Sequence, residues 1–293
     1  MRDFGLIVVD KPVGPTSHRV VNLVRRGTGL TKVGHAGTLD PRASGVLVLC
    51  LGAATRLSEY LSRSSKSYEA VIRFGSSTQT YDGDGLVTRR TNLAPTLDEI
   101  RDQLAGFVGE IEQVPPAYSA IKIKGRKAYE LARKGQEPEL GPRHVVIHRL
   151  EVLSYKPPDL TLSIDCSAGT YIRSLAHDLG ERAGTGAHLD ALRRTRAGPF
   201  TLADTVPLSR LEAAFIGGHW EDYLRPAAEA LPDLEIVRVR EEDLERIRFG
   251  RSIPAERESQ GMARGVGPDG ELVAILEAVE GSAEWHPRKV FLS

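Results

Sequence analysis

Gly34-His35-Ala36-Gly37-Thr38-Leu39-Asp40-Pro41 runs directly into Arg42-Ala43-Ser44-Gly45-Val46-Leu47-Val48-Leu49-Cys50-Leu51-Gly52. Gly34 and Gly37 permit backbone angles or close approaches that a side chain forbids. Pro41 biases Asp40 away from the α region, so the acid sits in extended backbone. The run Val46 to Leu51 has no polar interruption, as expected of a short strand buried on both faces. The stretch predicts one carboxylate on a tight loop braced by a core strand, a place where functional groups are often held. On these residues alone two readings of Asp40 stand: a structural turn in which it bonds its own backbone, and a reactive acid.

Upstream, Leu6-Ile7-Val8-Val9 predicts a strand that ends in the proline-glycine turn Asp10 to Pro15. Thr16-Ser17 then caps a helix with Val20, Leu23 and Val24 on its apolar face, closed by Gly27 or Gly29. Downstream, Ala53 to Leu61 reads as a helix and Lys66 to Gly75 as a strand, on which Tyr68 packs against a neighbour. Thr78 to Gly85 is a polar turn; Asp82 and Asp84 lack the further ligands of a calcium loop. Thr96-Leu97-Asp98-Glu99 has the capping-box pattern and opens a helix running through Leu104 to Phe107.

Val145 to Val152 and Leu160 to Cys166 read as strands, the second with Leu160, Leu162, Ile164 and Cys166 on one face. Ile172, Leu175, Ala176 and Leu179 form the buried stripe of a helix. Arg173 lies off that stripe at the helix N-terminus, where a cation is electrostatically misplaced, so a carboxylate from elsewhere is expected to compensate. Leu192 by itself reads as helix core. Pro226 to Pro232 reads as a linker, followed by short strands separated by Gly and Pro turns, the pattern of a small β-rich barrel.

The 39 basic and 39 acidic residues cancel, which argues against a protein that coats nucleic acid indiscriminately. The charge is nevertheless segregated. Between positions 122 and 149 the balance is +5, and from 227 to 293 it is −5, so a polyanion meets the middle of the chain first. In the segment Val114 to Gly135 the cations interleave with Tyr118 and Tyr129, which suits either a nucleic-acid surface or a solvated lysine-rich helix. Cys50 and Cys166 lie in apolar runs and fit a reducing compartment; with no signal-peptide pattern or membrane-length apolar run, a cytoplasmic protein off the membrane is expected. His18 and His35 have no second ligand at helical or hairpin spacing, so no metal is expected.

The pattern Gly-His-x-Gly-Thr-Leu-Asp-Pro-x-Ala-x-Gly-Val-Leu, ending in Gly52-Ala53-Ala54-Thr55-Arg56, resembles the central motif of the TruB family of tRNA pseudouridine synthases. Lys11-Pro12-x-Gly-x-Thr-Ser, Lys66-x-Tyr68 and Gly169-Thr170-Tyr171-Ile172-Arg173 resemble further motifs of that family. The resemblance covers roughly the first two hundred residues. It implies an α+β fold: a catalytic domain with a mixed, largely antiparallel sheet over 1–226, with a basic thumb insertion at about 115–149, and a small β-rich, PUA-like domain over 227–293.

The same resemblance makes Asp40 the catalytic aspartate, Tyr68 the aromatic that stacks on the target base, and Arg173 the partner of the aspartate. It puts Lys11, Pro12, His35, Gly37, Thr38, Leu39, Tyr171 and Leu192 around the substrate, and Lys122, Lys124, Arg126 and Lys127 on the RNA-gripping insertion. The implied activity is isomerisation of uridine 55 in the T loop of tRNA, with no metal, no cofactor and no obligate protein partner, by a monomer. One departure is visible: where the family commonly reads Thr-Asp-Thr-x-Asp-x-x-Gly, Gln79 replaces the first acid, and Asp82 matches the second. An RNA chaperone, or a synthase acting on ribosomal or guided RNA, would use similar surfaces.

Overall fold

The computed structural model describes residues 4–119, 121–123, 125–132, 134–136 and 138–292. The chain divides into two compact units, one of residues 1–41, 45–62 and 197–293, the other of residues 42–44 and 63–196.

In the first unit, strand Gly5–Lys11 lies between the apolar strand Ala43–Leu51, antiparallel to it, and the short parallel strand Val206–Pro207. Gly45 through Leu51 are all buried, as the uninterrupted apolar run predicts. The first helix, Ser17–Thr28, is capped by the Thr16 hydroxyl, which accepts from the Arg19 N–H, and ends at Gly29 with φ of 74°. Gly27 therefore is not the stop. It lies inside the helix, where Phe215 of helix Leu208–Gly217 occupies the space a Cβ would need. The predicted helix after Leu51 begins as a 3-10 turn, Gly52–Leu57, before the α-helix Ser58–Arg63.

The C-terminal part of this unit is a five-stranded sheet in the order Glu235–Arg238, Met262–Val266, Leu272–Ala278, Glu284–Val290, Ile253–Pro254. Its first pair is parallel and the others antiparallel. Val273, Ala274 and Leu276 join a core with Ile247, Ile253 and Trp285, whereas Leu272 and Ile275 pack with Leu6, Val8, Val46 and Val48. The stretch expected to be a linker contains the 3-10 turn Ala227–Ala230, and Ala227, Ala230 and Leu231 are buried in that second cluster.

In the second unit the strands run Ala187–Ala197, Lys66–Phe74, Asp159–Cys166, Arg143–Lys156, Gly109–Gln113. Leu160, Leu162, Ile164 and Cys166 alternate into its core, against Leu175, Ala176 and Leu179 of helix Ile172–Arg182. Thr96 and Glu99 form the reciprocal capping box of helix Leu97–Ala105. Leu192 sits on a strand, so the reading of it as helix core is corrected. The excursion from the sheet spans 114–142, because residues 143–149 already belong to the long strand. It carries the hairpin Lys122–Ile123 with Arg126–Lys127 and the short helix Ala128–Ala132, in place of a continuous lysine-rich helix.

Candidate active site

The loop carrying Asp40 is held at both flanks of the acid. The hydroxyl of Ser17, at the start of the first helix, donates to the Leu39 carbonyl at 2.9 Å and accepts the Leu39 N–H at 2.8 Å. On the other side the Gly14 N–H donates to the Pro41 carbonyl at 2.8 Å. Leu39 is buried and anchors the loop in the core, while Asp40 is half-buried. Gly37 has φ of 92°, which explains why the turn carries glycine there. The Ala36 N–H donates to the Val48 carbonyl, joining the loop to the core strand.

Lys11 is fully buried, and its ammonium donates to the carbonyls of Pro12 and Pro15, each at 2.9 Å. A buried lysine is tolerated when its charge is met by several acceptors. Here it stiffens the turn that supplies the Gly14 N–H, so Lys11 reaches the neighbour of Asp40 through backbone. Pro12 and Thr38 are exposed, and His35 and Gly37 are half-buried.

The remaining expected residues gather in the second unit. Tyr68 is half-buried on strand Lys66–Phe74, opposite Ile164. Tyr171 stands at the N-cap position of helix Ile172–Arg182, where its N–H donates to Gln113 Oε1 at 2.7 Å and its carbonyl accepts from Gln113 Nε2 at 3.0 Å. Arg173 is buried at the start of that helix. Its guanidinium reaches the Tyr118 carbonyl at 3.0 Å, the Thr80 carbonyl at 3.3 Å and Asp82 Oδ2 at 3.4 Å. Asp82 is thus a carboxylate that compensates the misplaced cation, and this acid is the one retained beside the Gln79 departure. Leu192 is half-buried against the core of this unit.

The turn holding Asp82 is itself braced by hydrogen bonds and an ion pair. Asp82 Oδ1 accepts from the Thr80 hydroxyl at 2.5 Å and from the Asp84 N–H at 3.1 Å. Asp84 pairs with Arg42 at 2.9 Å, and Arg42 also reaches the Asp190 carbonyl at 3.2 Å. Arg42, Gln113 and Ser17 were not predicted as site residues; their partners lie far away in sequence, so only the fold discloses them.

Arg126 is exposed, Lys122 and Lys127 belong to the paired hairpin strands, and Lys124 lies outside the described residues. Burial, followed by the nearby Arg194, pushes the Lys66 amine down to about 8. Burial pushes the Cys50 thiol up to about 12 and the Cys166 thiol up to about 11, which keeps both protonated and unreactive. Among the described residues no group of three or more His, Cys, Asp or Glu side chains is placed to hold a metal ion, and no helix is long and apolar enough to cross a membrane.

Residues 25–172 match the family model described as TruB family pseudouridylate synthase (N terminal domain), and residues 173–231 match the tRNA pseudouridylate synthase B C-terminal domain. The chain is 43% identical to tRNA pseudouridine synthase B of Dehalococcoides mccartyi over 99% of its own length and 97% of the relative's. It is 42% identical to the protein of the same name from Ruegeria pomeroyi, over 98% and 95%. Among solved structures, a chain of an H/ACA RNP bound to a substrate RNA containing 2′-deoxyuridine superposes with a TM-score of 0.75 at 28% identity, covering 99% of this chain and 86% of that one. A chain of a Cbf5-Nop10-Gar1 complex gives the same TM-score at 30% identity, covering 99% and 85%.

Proposed function

Because this chain belongs to the TruB family of pseudouridylate synthases, we propose that its target is uridine 55 in the T loop of tRNA, with Asp40 as the initiating acid. The chain is a TruB-type tRNA pseudouridine synthase, an isomerase. The observation that carries the assignment of Asp40 is the double clamp on its neighbours, through Ser17 to Leu39 and through Gly14 to Pro41. A carboxylate held this way meets a substrate without first having to be ordered, which is the advantage of a preorganised group.

In this proposal the target nucleotide swings out of the T loop toward Asp40, at a cost of about a few kcal/mol in lost stacking. Asp40 starts cleavage of the N1–C1′ bond, by attack on the sugar or base or by removing a sugar proton. The freed uracil turns, C5 bonds to C1′, the C5 proton leaves and N1 ends protonated. Substrate and product contain the same atoms, so the proposed reaction calls for no metal, cofactor or co-substrate. Tyr68 stacks its ring on the uracil, and Arg173 orients the Asp40 carboxylate. His35 fills the gap left in the loop, and Pro12, Gly37, Thr38, Leu39, Tyr171 and Leu192 line the site, with Lys11 behind them. Lys122, Lys124, Arg126 and Lys127 grip the RNA backbone. In this reading the enzyme acts in the cytoplasm as a monomer with no obligate protein partner.

The test is to incubate unmodified tRNA with the purified protein and EDTA and to map pseudouridine along the RNA. Conversion at uridine 55, abolished when that base is changed to cytidine, is expected. Conversion only at another uridine refutes the position, and dependence on added metal refutes the cofactor-free route.

A further inference from the structure

We propose that the ring stack between Tyr81 and His177 is a positioning device for the Arg173–Asp82 pair, so that these two residues set the catalytic rate without touching RNA. The inference rests on the reading above, in which Arg173 serves the reaction. The two rings are parallel to within 5°, with centroids 3.8 Å apart. Arg173 and His177 are four residues apart on helix Ile172–Arg182 and therefore share one face. Tyr81 and Asp82 are consecutive. The turn thus crosses the helix with two adjacent side chains, ring on ring and carboxylate on guanidinium.

The backbone of the turn is built to allow this crossing. Tyr81 has φ of 62° and is the non-glycine residue with a left-handed backbone among those described. That conformation is disfavoured for an L residue with a bulky side chain and persists where its surroundings enforce it. Leu189 enforces it from one side: its N–H donates to the Tyr81 carbonyl at 3.0 Å, and its carbonyl accepts the Gly83 N–H at 3.1 Å. The His177 ring enforces it from the other. Asp82 lies between these two anchors.

Asp82 needs such a frame. Its Oδ1 is engaged by Thr80 and by the Asp84 N–H, which leaves Oδ2 directed at Arg173 at 3.4 Å. That distance is long for a charge-assisted hydrogen bond, so the contact does not fix its own geometry. The position of the carboxylate comes from the turn, and the turn is tied to the arginine's own helix by the stack. Loss of the ring frees the turn on the helix side while Leu189 still holds it, which changes where Asp82 sits without unfolding the chain.

The experiment measures single-turnover pseudouridine formation on tRNA, tRNA affinity and thermal melting of the full-length chain. The variants are Tyr81→Ala, Tyr81→Gly, Tyr81→Phe, His177→Ala, His177→Phe, the Tyr81→Ala/His177→Ala double and Arg173→Lys. Tyr81→Gly removes the ring while easing the left-handed backbone, and His177→Ala changes a half-exposed helix position; they keep the test open where Tyr81→Ala fails to fold. Deleting either ring is expected to slow the chemical step about 10- to 100-fold, the scale of an ångström-sized misplacement, with tRNA affinity kept within about twofold. The two Phe variants keep a ring and are expected to stay near the wild-type rate. The double variant should be no slower than the worse single one, because both delete one contact. A wild-type rate in Tyr81→Gly or His177→Ala, equal losses in the Phe variants, multiplying losses in the double variant, or a loss confined to affinity would each overturn the proposal. A wild-type rate in Arg173→Lys, or no product from the wild type, overturns the underlying reading and the stack's role with it; an impaired Arg173→Lys beside unaffected ring variants overturns the stack alone.

Discussion

Ser17→Ala isolates the clamp on the catalytic loop from the helix it belongs to. The Ser17 hydroxyl bonds both polar groups of Leu39, at 2.8 and 2.9 Å, in a buried setting. Removing it strands one N–H and one C=O, at about 1–3 kcal/mol for each buried group left unpaired. Some relaxation of the loop recovers part of that, so the expected destabilisation is about 2–4 kcal/mol. The helix itself should not suffer, because its cap is Thr16, whose hydroxyl accepts the Arg19 N–H at 3.0 Å. Relaxation that relieves Leu39 moves the next residue, Asp40. A shift of about 1 Å at a reacting group costs on the order of 100-fold in rate. Urea unfolding measures the first effect, and single-turnover product formation under conditions where the variant is fully folded measures the second. Thr16→Ala is the matched control: it should cost about 1 kcal/mol by removing the cap and leave the rate intact. Ser17→Ala within about 0.5 kcal/mol of wild type and at full rate would refute the idea that this hydroxyl holds the acid in place.

Three further outcomes follow from packing and charge. Gly27→Ala brings a Cβ to 2.2 Å from the Phe215 ring. The overpacking cost of about 1–3 kcal/mol exceeds the helix-propensity gain of about 1 kcal/mol, so urea unfolding should show net loss, relieved by adding Phe215→Leu. Lys66 has a folded-state pKa lowered to about 8 from the ordinary 10.5. Between those values the unfolded chain binds more protons than the folded one, so stability should rise with pH across that window, and Lys66→Met should flatten the rise. Thr96→Ala removes the hydroxyl half of the capping box on helix Leu97–Ala105, leaving the backbone N–H of residue 96 to donate to Glu99, and should cost about 1 kcal/mol in unfolding measurements, with the reaction rate unchanged.

The parts of the fold that were legible in the sequence are those specified by neighbours along the chain. The apolar run from Val46 to Leu51 can be satisfied in few ways other than a buried strand, and the alternation from Leu160 to Cys166 states its own core face. Thr16 and the Thr96–Glu99 box mark helix starts through contacts three residues apart. What stayed hidden depends on partners distant in sequence. The strand Ala187–Ala197 carries three arginines and does not look like a core strand, yet Arg194 is buried, and Arg196 meets Ser67 and Asp165 from two other strands. Ala227 and Ala230 follow a proline and resemble a linker until the apolar faces that cover them are in place.

The site divides along the same line. Arg173 is locally anomalous as a cation at a helix N-terminus, whereas the residues around Asp40 allow a structural turn as well as a reactive acid, and the motif's resemblance to the TruB family is what singles it out. The Ser17 clamp, the Gln113 clasp on Tyr171 and the Tyr81–His177 stack join segments between 22 and 96 residues apart, and nothing in the local sequence of either partner announces them. Arg42 is the instructive middle case. It sits inside the most informative stretch of the chain, but its role emerges from Asp84 and Asp190, which the fold brings to it.

The most direct measurement is tritium release from a T-stem-loop RNA carrying 5-tritiated uridine, with purified protein in EDTA, comparing wild type with Asp40→Asn. The C5 proton leaves only after C5 has joined C1′, so release reports the completed isomerisation. Release by the wild type, none by Asp40→Asn, and similar stem-loop affinity for both is the predicted result. Turnover by Asp40→Asn, or tight binding by the wild type with no release, would contradict the account.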